Sequence, residues 1–130
     1  MRVFDTDTDR DYARRFNVID ENNVLVGFSM GSSCCESFGH FFTPTLPAAV
    51  DSDTASTSDA KFDHGAYVFD PSFKRDLPTY EHDDGGAVAF RLVSKDGGEM
   101  FLVLYNHHNG YYSHGFDMKQ GETVLYEGAV

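Results

Sequence analysis

The sequence predicts a mainly β fold, with α+β as the alternative: a single-domain antiparallel sheet of about six to seven strands, a C-terminal meander of about four strands, and little helix. Three observations predict it. Short runs rich in β-branched and aromatic residues recur along the chain, Gly, Asn and Asp clusters separate them, and no apolar stripe of helical period, heptad or internal repeat is present. With 130 residues, 41% of them hydrophobic and 15% aromatic, the chain is long and apolar enough to pack one core, so residues 1–130 are read as one domain.

The first dozen residues set Asp5, Asp7, Asp9 and Asp11 among Thr6, Thr8 and Arg10, a pattern without apolar period or cap. Residues 1–12 are therefore expected to be a loose acidic segment or an edge. Next, Arg14 to Ile19 and Val24 to Phe28 flank the turn-prone Asp20-Glu21-Asn22-Asn23, which predicts a hairpin. The stretch from Gly31 to Phe42 starts with small residues, turns aromatic and is halted by Pro44 and Pro47, as a short helical turn or a bulged strand would be. Residues 48–65 hold few large apolar groups and are expected to form a surface excursion. Tyr67-Val68-Phe69 reads as a strand stopped by Asp70-Pro71, with a short helix or turn between Phe73 and Tyr80.

The last third is the most regular. Ala87 to Val93 is a strand, Lys95 to Glu99 a hairpin loop, and Met100 to Tyr105 a continuous apolar strand, the pattern of a strand buried on both faces. Asn109-Gly110 marks a second turn, leading into Tyr111 to Phe116, and Gln120-Gly121-Glu122 turns into Thr123 to Glu127.

Charge narrows the function. Ten Lys and Arg stand against 21 Asp and Glu, a formal net charge of -11. Such a chain is repelled by phosphate backbones and attracted to basic protein surfaces, so direct nucleic-acid binding is disfavoured. Between Asp51 and Asp84 the acids Asp51, Asp53, Asp59, Asp63, Asp70, Asp76, Glu81, Asp83 and Asp84 face only Lys61, Lys74 and Arg75. An acidic face is expected there. No apolar run approaches the ~20 residues of a membrane span. The N-terminal residues lack the basic and apolar regions of a secretory signal, so the expected location is cytoplasmic.

Candidate chemistry is sparse. Cys34 and Cys35 are adjacent, and a bridge between neighbours is strained, so reduced thiols are expected. A thiol nucleophile at either one, with His40 or His114 as base and Glu36 as orienter, sits in a negative field that raises thiol pKa, which makes a cysteine-dependent enzyme the weakest reading. In the segment 105–116, His107 and His114 on a hairpin, with Glu36, offer imidazole and carboxylate ligands for zinc, but the paired short spacings of zinc motifs are missing. Phe38, Phe41, Phe42, Tyr111, Tyr112 and Phe116 are either a ligand pocket or core, and core is the commoner use of aromatics. Gly85-Gly86 and Gly97-Gly98 neither open a helix nor precede a P-loop Lys, and read as turns.

The strings Cys34-Cys35-Glu36-Ser37-Phe38-Gly39 and Asn109-Gly110-Tyr111-Tyr112-Ser113-His114-Gly115-Phe116 resemble the signature segments of an uncharacterised family of small bacterial and bacteriophage proteins. The resemblance covers about half of the chain, implies a phage or mobile-element setting, and brings no activity with it. Small acidic proteins in that setting are similar to inhibitors of host defence, including anti-CRISPR proteins and DNA mimics.

The leading expectation is a non-enzymatic acidic binding protein without cofactor. Its partner is a basic host protein such as a CRISPR effector subunit, held by Asp51, Asp53, Asp59, Asp63, Glu81, Asp83 and Asp84 where phosphates spaced by about 1.7 Å of helix axis would otherwise lie. The alternative is a small-ligand or metal-binding module centred on 105–116, with His107, His114 and Glu36 as ligands. A Phe-rich sheet in so short a chain also makes a homodimer an expectation.

Overall fold

The computed structural model describes residues 1–6, 14–30, 37–50, 64–79, 86–107 and 114–130. They form nine strands: β1 (Arg2–Thr6), β2 (Arg15–Ile19), β3 (Val24–Ser29), β4 (Ser37–Thr43), β5 (Tyr67–Leu77), β6 (Gly86–Ser94), β7 (Glu99–His107), β8 (Gly115–Gln120) and β9 (Thr123–Ala129). One short 3-10 turn, His64–Ala66, precedes β5. The mainly β expectation holds. No helix among the described residues is long and apolar enough to cross a membrane.

The strands do not make one sheet of six or seven. They make two, a five-stranded sheet in the order β1-β2-β3-β8-β9 and a four-stranded sheet in the order β4-β7-β6-β5. All strand pairings are antiparallel. The expected C-terminal meander is split: β6 and β7 are neighbours in one sheet, β8 and β9 in the other, and the chain changes sheet between His107 and His114. The reason is burial. Sheets that face each other bury one side of each strand in a shared core, and a strand crossing to the second sheet covers more apolar surface than one added to an edge.

Alternation along the strands builds that core. Phe16, Val18, Val26, Phe28 and Met118 of the five-stranded sheet pack with Val88, Phe90, Leu92, Leu102 and Leu104 of the four-stranded sheet in one cluster. The central strands β6 and β7 are apolar on their other side too, where Ala87, Ala89 and Val103 join Phe41, Val50 and Leu77 in a second cluster, with Leu46 and Tyr105 against it. The stretch Met100 to Tyr105 is thus lined by apolar neighbours on both faces, as its composition predicts. The excursion expected over 48–65 starts differently, because Ala49 and Val50 are buried. Val50 is held there by its N–H donating to the Pro78 carbonyl and by a parallel bridge to Thr79. Residues 51–63 lie outside the described residues.

Two boundaries also move. Of the first twelve residues, Arg2–Thr6 is not loose but an edge strand, paired with β2 through every residue from Arg2 opposite Ile19 to Thr6 opposite Arg15. Strand β5 does not stop at Asp70-Pro71, and no helix follows among the described residues up to 79. It runs to Leu77 with a register shift between Phe69 and Lys74. Proline is tolerated at a bulge on an edge strand, and β5 is an edge. Asp70 closes the bulge by accepting the N–H and the hydroxyl of Ser72 at 3.0 and 2.6 Å. Strand β4 ends at Thr43, directly before Pro44, as expected.

Candidate functional site

The two ends of the sandwich are joined in different ways. At one, called the turn end here, tight turns connect β2 to β3, β6 to β7 and β8 to β9. They use positive φ at Asn23 (62°), Gly97 (84°) and Gly121 (60°), the local chemistry that short hairpins require. Gly121 donates its N–H to the Asn23 carbonyl and ties two of these turns together. Asp20 does more. Its Oδ1 accepts the N–H groups of Asn22 and Val24, both at 2.9 Å, and its Oδ2 accepts the N–H of Phe69 at 2.8 Å from the opposite sheet. A carboxylate 6% exposed is acceptable only because three donors replace its water.

The other end, the junction end, is where the chain passes into the segments 7–13, 31–36, 51–63, 80–85 and 108–113. In the five-stranded sheet, Thr6 pairs with Arg15 and Arg15 with Ser29. Met30 donates its N–H to Arg14, and Ser29 accepts from His114 Nδ1 at 2.8 Å. In the four-stranded sheet, Ser37 pairs with His107, Asn106 with Gly86, and Leu77 with Ala87. Val130 joins the two sheets here. Its backbone exchanges both hydrogen bonds with His114, and its carbonyl also accepts from Asn106 Nδ2 at 3.1 Å. Consequently Thr6, Arg14, Met30, Ser37, Val50, Thr79, Gly86, His107 and His114, the residues bordering those segments, stand at one end. His64, which follows 51–63, is the exception and lies against Phe42.

This placement sorts the charge. The segments beyond the described residues contain Asp7, Asp9, Asp11, Glu36, Asp51, Asp53, Asp59, Asp63, Glu81, Asp83 and Asp84, against Arg10 and Lys61 alone. The described β residues are almost balanced and pair their charges locally. Arg15 meets Asp117 at 2.8 Å, and Arg91 meets Glu99 at 2.6 Å and Asp70 at 3.2 Å. The Ser72 hydroxyl and N–H, with Arg91 beyond them, hold the Asp70 carboxyl below the usual carboxylate range. The expected partner-binding acids Asp51, Asp53, Asp59, Asp63, Glu81, Asp83 and Asp84 all lie outside the described residues, as do Cys34, Cys35 and Glu36.

The histidines are placed differently from the sequence expectation. The strands next to His107 and His114, β7 and β8, are not hairpin partners, because they belong to different sheets. His107 pairs with Ser37, while His114 is 4% exposed and stacks on Phe38 at 4.0 Å. A carbonyl only accepts, so His114 Nδ1 carries the proton donated to Ser29. His40 stacks on Phe16 at 3.6 Å. Among the described residues, no group of three or more His, Cys, Asp or Glu could hold a metal ion. Phe41, Phe42 and Phe116 are buried in the core, the commoner of the two uses considered for them, and burial pushes the Tyr105 phenol up.

One feature of the junction end has no counterpart in the sequence reading. A groove of about 560 Å³ opens on the outer face of the five-stranded sheet, lined among others by Arg15, Ser29, Gly115, Asp117, Glu127 and Gly128. Gly27 makes it possible: a Cβ there would lie 2.3 Å from Arg15 Nη2 and 3.0 Å from Asp117 Oδ1, so only glycine lets the guanidinium cross β3 to its partner on β8. A glycine in the middle of an otherwise strong strand is the signal that points to such a close approach.

Comparison of the chain with protein-family models, with curated proteins and with solved structures finds no match.

Proposed function

We propose that the chain is a non-enzymatic acidic binding protein, encoded by a phage or mobile element and acting in the host cytoplasm. It occupies the nucleic-acid-binding surface of a host defence protein, such as a CRISPR effector subunit. One observation carries this reading. Apart from His64, the residues bordering the acid-rich segments stand together at the junction end, so most of the connections to those segments are made at one end of the sandwich. The setting rests on the resemblance of the Cys34 to Gly39 and Asn109 to Phe116 strings. On a chain of net charge -11, the acids of these segments offer a basic groove the sign of charge that a phosphate backbone offers.

The test is capture of partners from a host lysate at about 50 and 200 mM salt, because contacts of this kind lose affinity steeply with ionic strength. The expected result is a nucleic-acid-binding protein retained at low salt, released at high salt, and displaced by DNA. Replacing Asp51, Asp53, Asp59, Asp63, Glu81, Asp83 and Asp84 by Asn or Gln should abolish the capture while the fold survives. Retention insensitive to both salt and these substitutions would end the proposal.

A further inference from the structure

Strand β9 closes the five-stranded sheet and pairs, among the described residues, with β8 alone. An edge of this kind presents unpaired N–H and C=O groups, and proteins usually protect it with Lys, Pro, a sharp bulge or a covering element. The other edges show such protection. Strand β5 has Pro71, a bulge, Lys74 and Arg75; β4 has His64 against its Phe42; β1 is five residues long and carries Arg2 and the Asp5 that pairs with Arg14. Strand β9, Thr-Val-Leu-Tyr-Glu-Gly-Ala, has neither Lys, Arg nor Pro, and Val124 on it is, among the described residues, the most exposed large apolar side chain, at 46%. Like β5, β9 has a bulge, at Leu125, which is skipped between Val124 opposite Lys119 and Tyr126 opposite Met118, and beyond it the run from Tyr126 to Ala129 pairs regularly with β8.

The charge on this edge has one sign. Glu122 precedes β9, and the exposed Glu127 is directly opposite Asp117 on β8, an arrangement that costs stability in an antiparallel pair. Arg15 and Lys119 both reach Asp117, at 2.8 and 3.7 Å, and neither forms an ion pair with Glu127. The groove runs beside this pair, floored by Gly115 and Gly128. A Cβ on Gly128 would meet the buried Phe116 ring at 2.9 Å on the core face, the face opposite to Glu127.

From these features we propose that β9 is a docking edge for an extended basic segment of a partner protein. The segment adds as a sixth strand, with alternate side chains lying over the groove and a Lys or Arg meeting Glu127. This deepens the proposed function by naming the partner's element, but uses residues separate from the acidic segments.

The experiment uses the full chain and a synthetic ten-residue peptide alternating Lys with Val. Its control is the same peptide N-methylated at alternate residues, which keeps the charge and removes ladder hydrogen bonds. Hydrogen exchange should slow at the amides of Val124 to Ala129 when the peptide is added, by tenfold or more, and the N-methylated peptide should give no protection. Glu127→Lys should weaken peptide binding at least tenfold. Val124→Lys, which leaves Glu127 in place, should weaken it about threefold. The variant with the seven neutralised acids should still protect β9, and this holds whether or not that variant loses the lysate partner, so the two proposals fail separately. Equal binding of the N-methylated peptide, protection confined to residues outside β9, or β9 protection that grows with protein concentration without peptide, as in a second copy docking there, would overturn the inference.

Discussion

The turn end and the junction end are built by the same strands, yet they differ in how the chain is held. At the turn end, connections of two to four residues close on themselves through positive φ and backbone hydrogen bonds, and Asp20 accepts two N–H groups of its own turn and a third, from Phe69, that ties the two sheets together. At the junction end the Val130 carbonyl accepts from Asn106 of the other sheet, and His114 stacks on Phe38 across the sheets. Nearly all of the net charge belongs to segments that border this second end. A chain can accumulate like charge where binding needs it only if stability is secured elsewhere, since self-repulsion weakens a compact state. The turn end supplies that security.

The comparison makes distinct predictions for the two ends. The largest effect belongs to Asp20→Ala, which leaves three N–H groups without an acceptor, two of them buried. Urea unfolding should show a loss of about 3–5 kcal/mol. Asp20→Asn, which keeps one acceptor oxygen, should lose about half as much. A loss of under about 0.5 kcal/mol for the alanine variant would remove the asymmetry between the ends.

Neutralising the seven acids of the junction segments should do the reverse. Affinity for the captured partner is expected to fall at least a hundredfold, while the unfolding midpoint at pH 7 stays the same or rises as self-repulsion is relieved. Titration calorimetry and urea unfolding of the same preparation check both halves.

Next in size is Gly128→Ala. The buried Phe116 ring 2.9 Å from the new Cβ has little room to retreat, and a cost of about 1–3 kcal/mol is expected by thermal unfolding. Gly27→Ala should cost less, about 1 kcal/mol, because the atom displaced is the end of a flexible Arg15 side chain. Its effect should vanish in a background lacking Asp117, which a double-mutant cycle would reveal.

The smallest effects concern pH and metal. The Asp70 carboxyl is held below its ordinary range by Ser72 and Arg91, so its contribution is fully present above the unfolded pKa and disappears as pH falls through the lower folded value. Acid unfolding curves of the wild type and Asp70→Asn should therefore converge once pH falls below the lowered folded value and separate above the ordinary carboxylate range. Chelator treatment should leave the melting temperature unchanged and elemental analysis should find less than stoichiometric zinc. Stoichiometric zinc would bring back the module centred on 105–116.

What the sequence by itself determined is local. The hairpin turns at 20–23, 95–98 and 120–122 were legible because turn chemistry depends on neighbours: Asn23, Gly97 and Gly121 adopt the positive φ that their positions demand. The double burial of Met100 to Tyr105 was legible from an unbroken apolar run, and the end of β4 from Pro44. Only the tertiary structure decided the rest. Whether Gly115 to Gln120 pairs with β7 or with β3 depends on which arrangement buries more apolar surface, and the residues alone do not encode that sum. Pro71 looked like a stop because nothing near it reveals that β5 is an edge. Asp20 finds its third donor 49 positions away at Phe69, and Gly27 matters for a guanidinium and a carboxylate 102 positions apart. Periodicity and turn propensity act over a few residues, whereas close packing and the pairing of buried polar groups act over whatever the fold brings together.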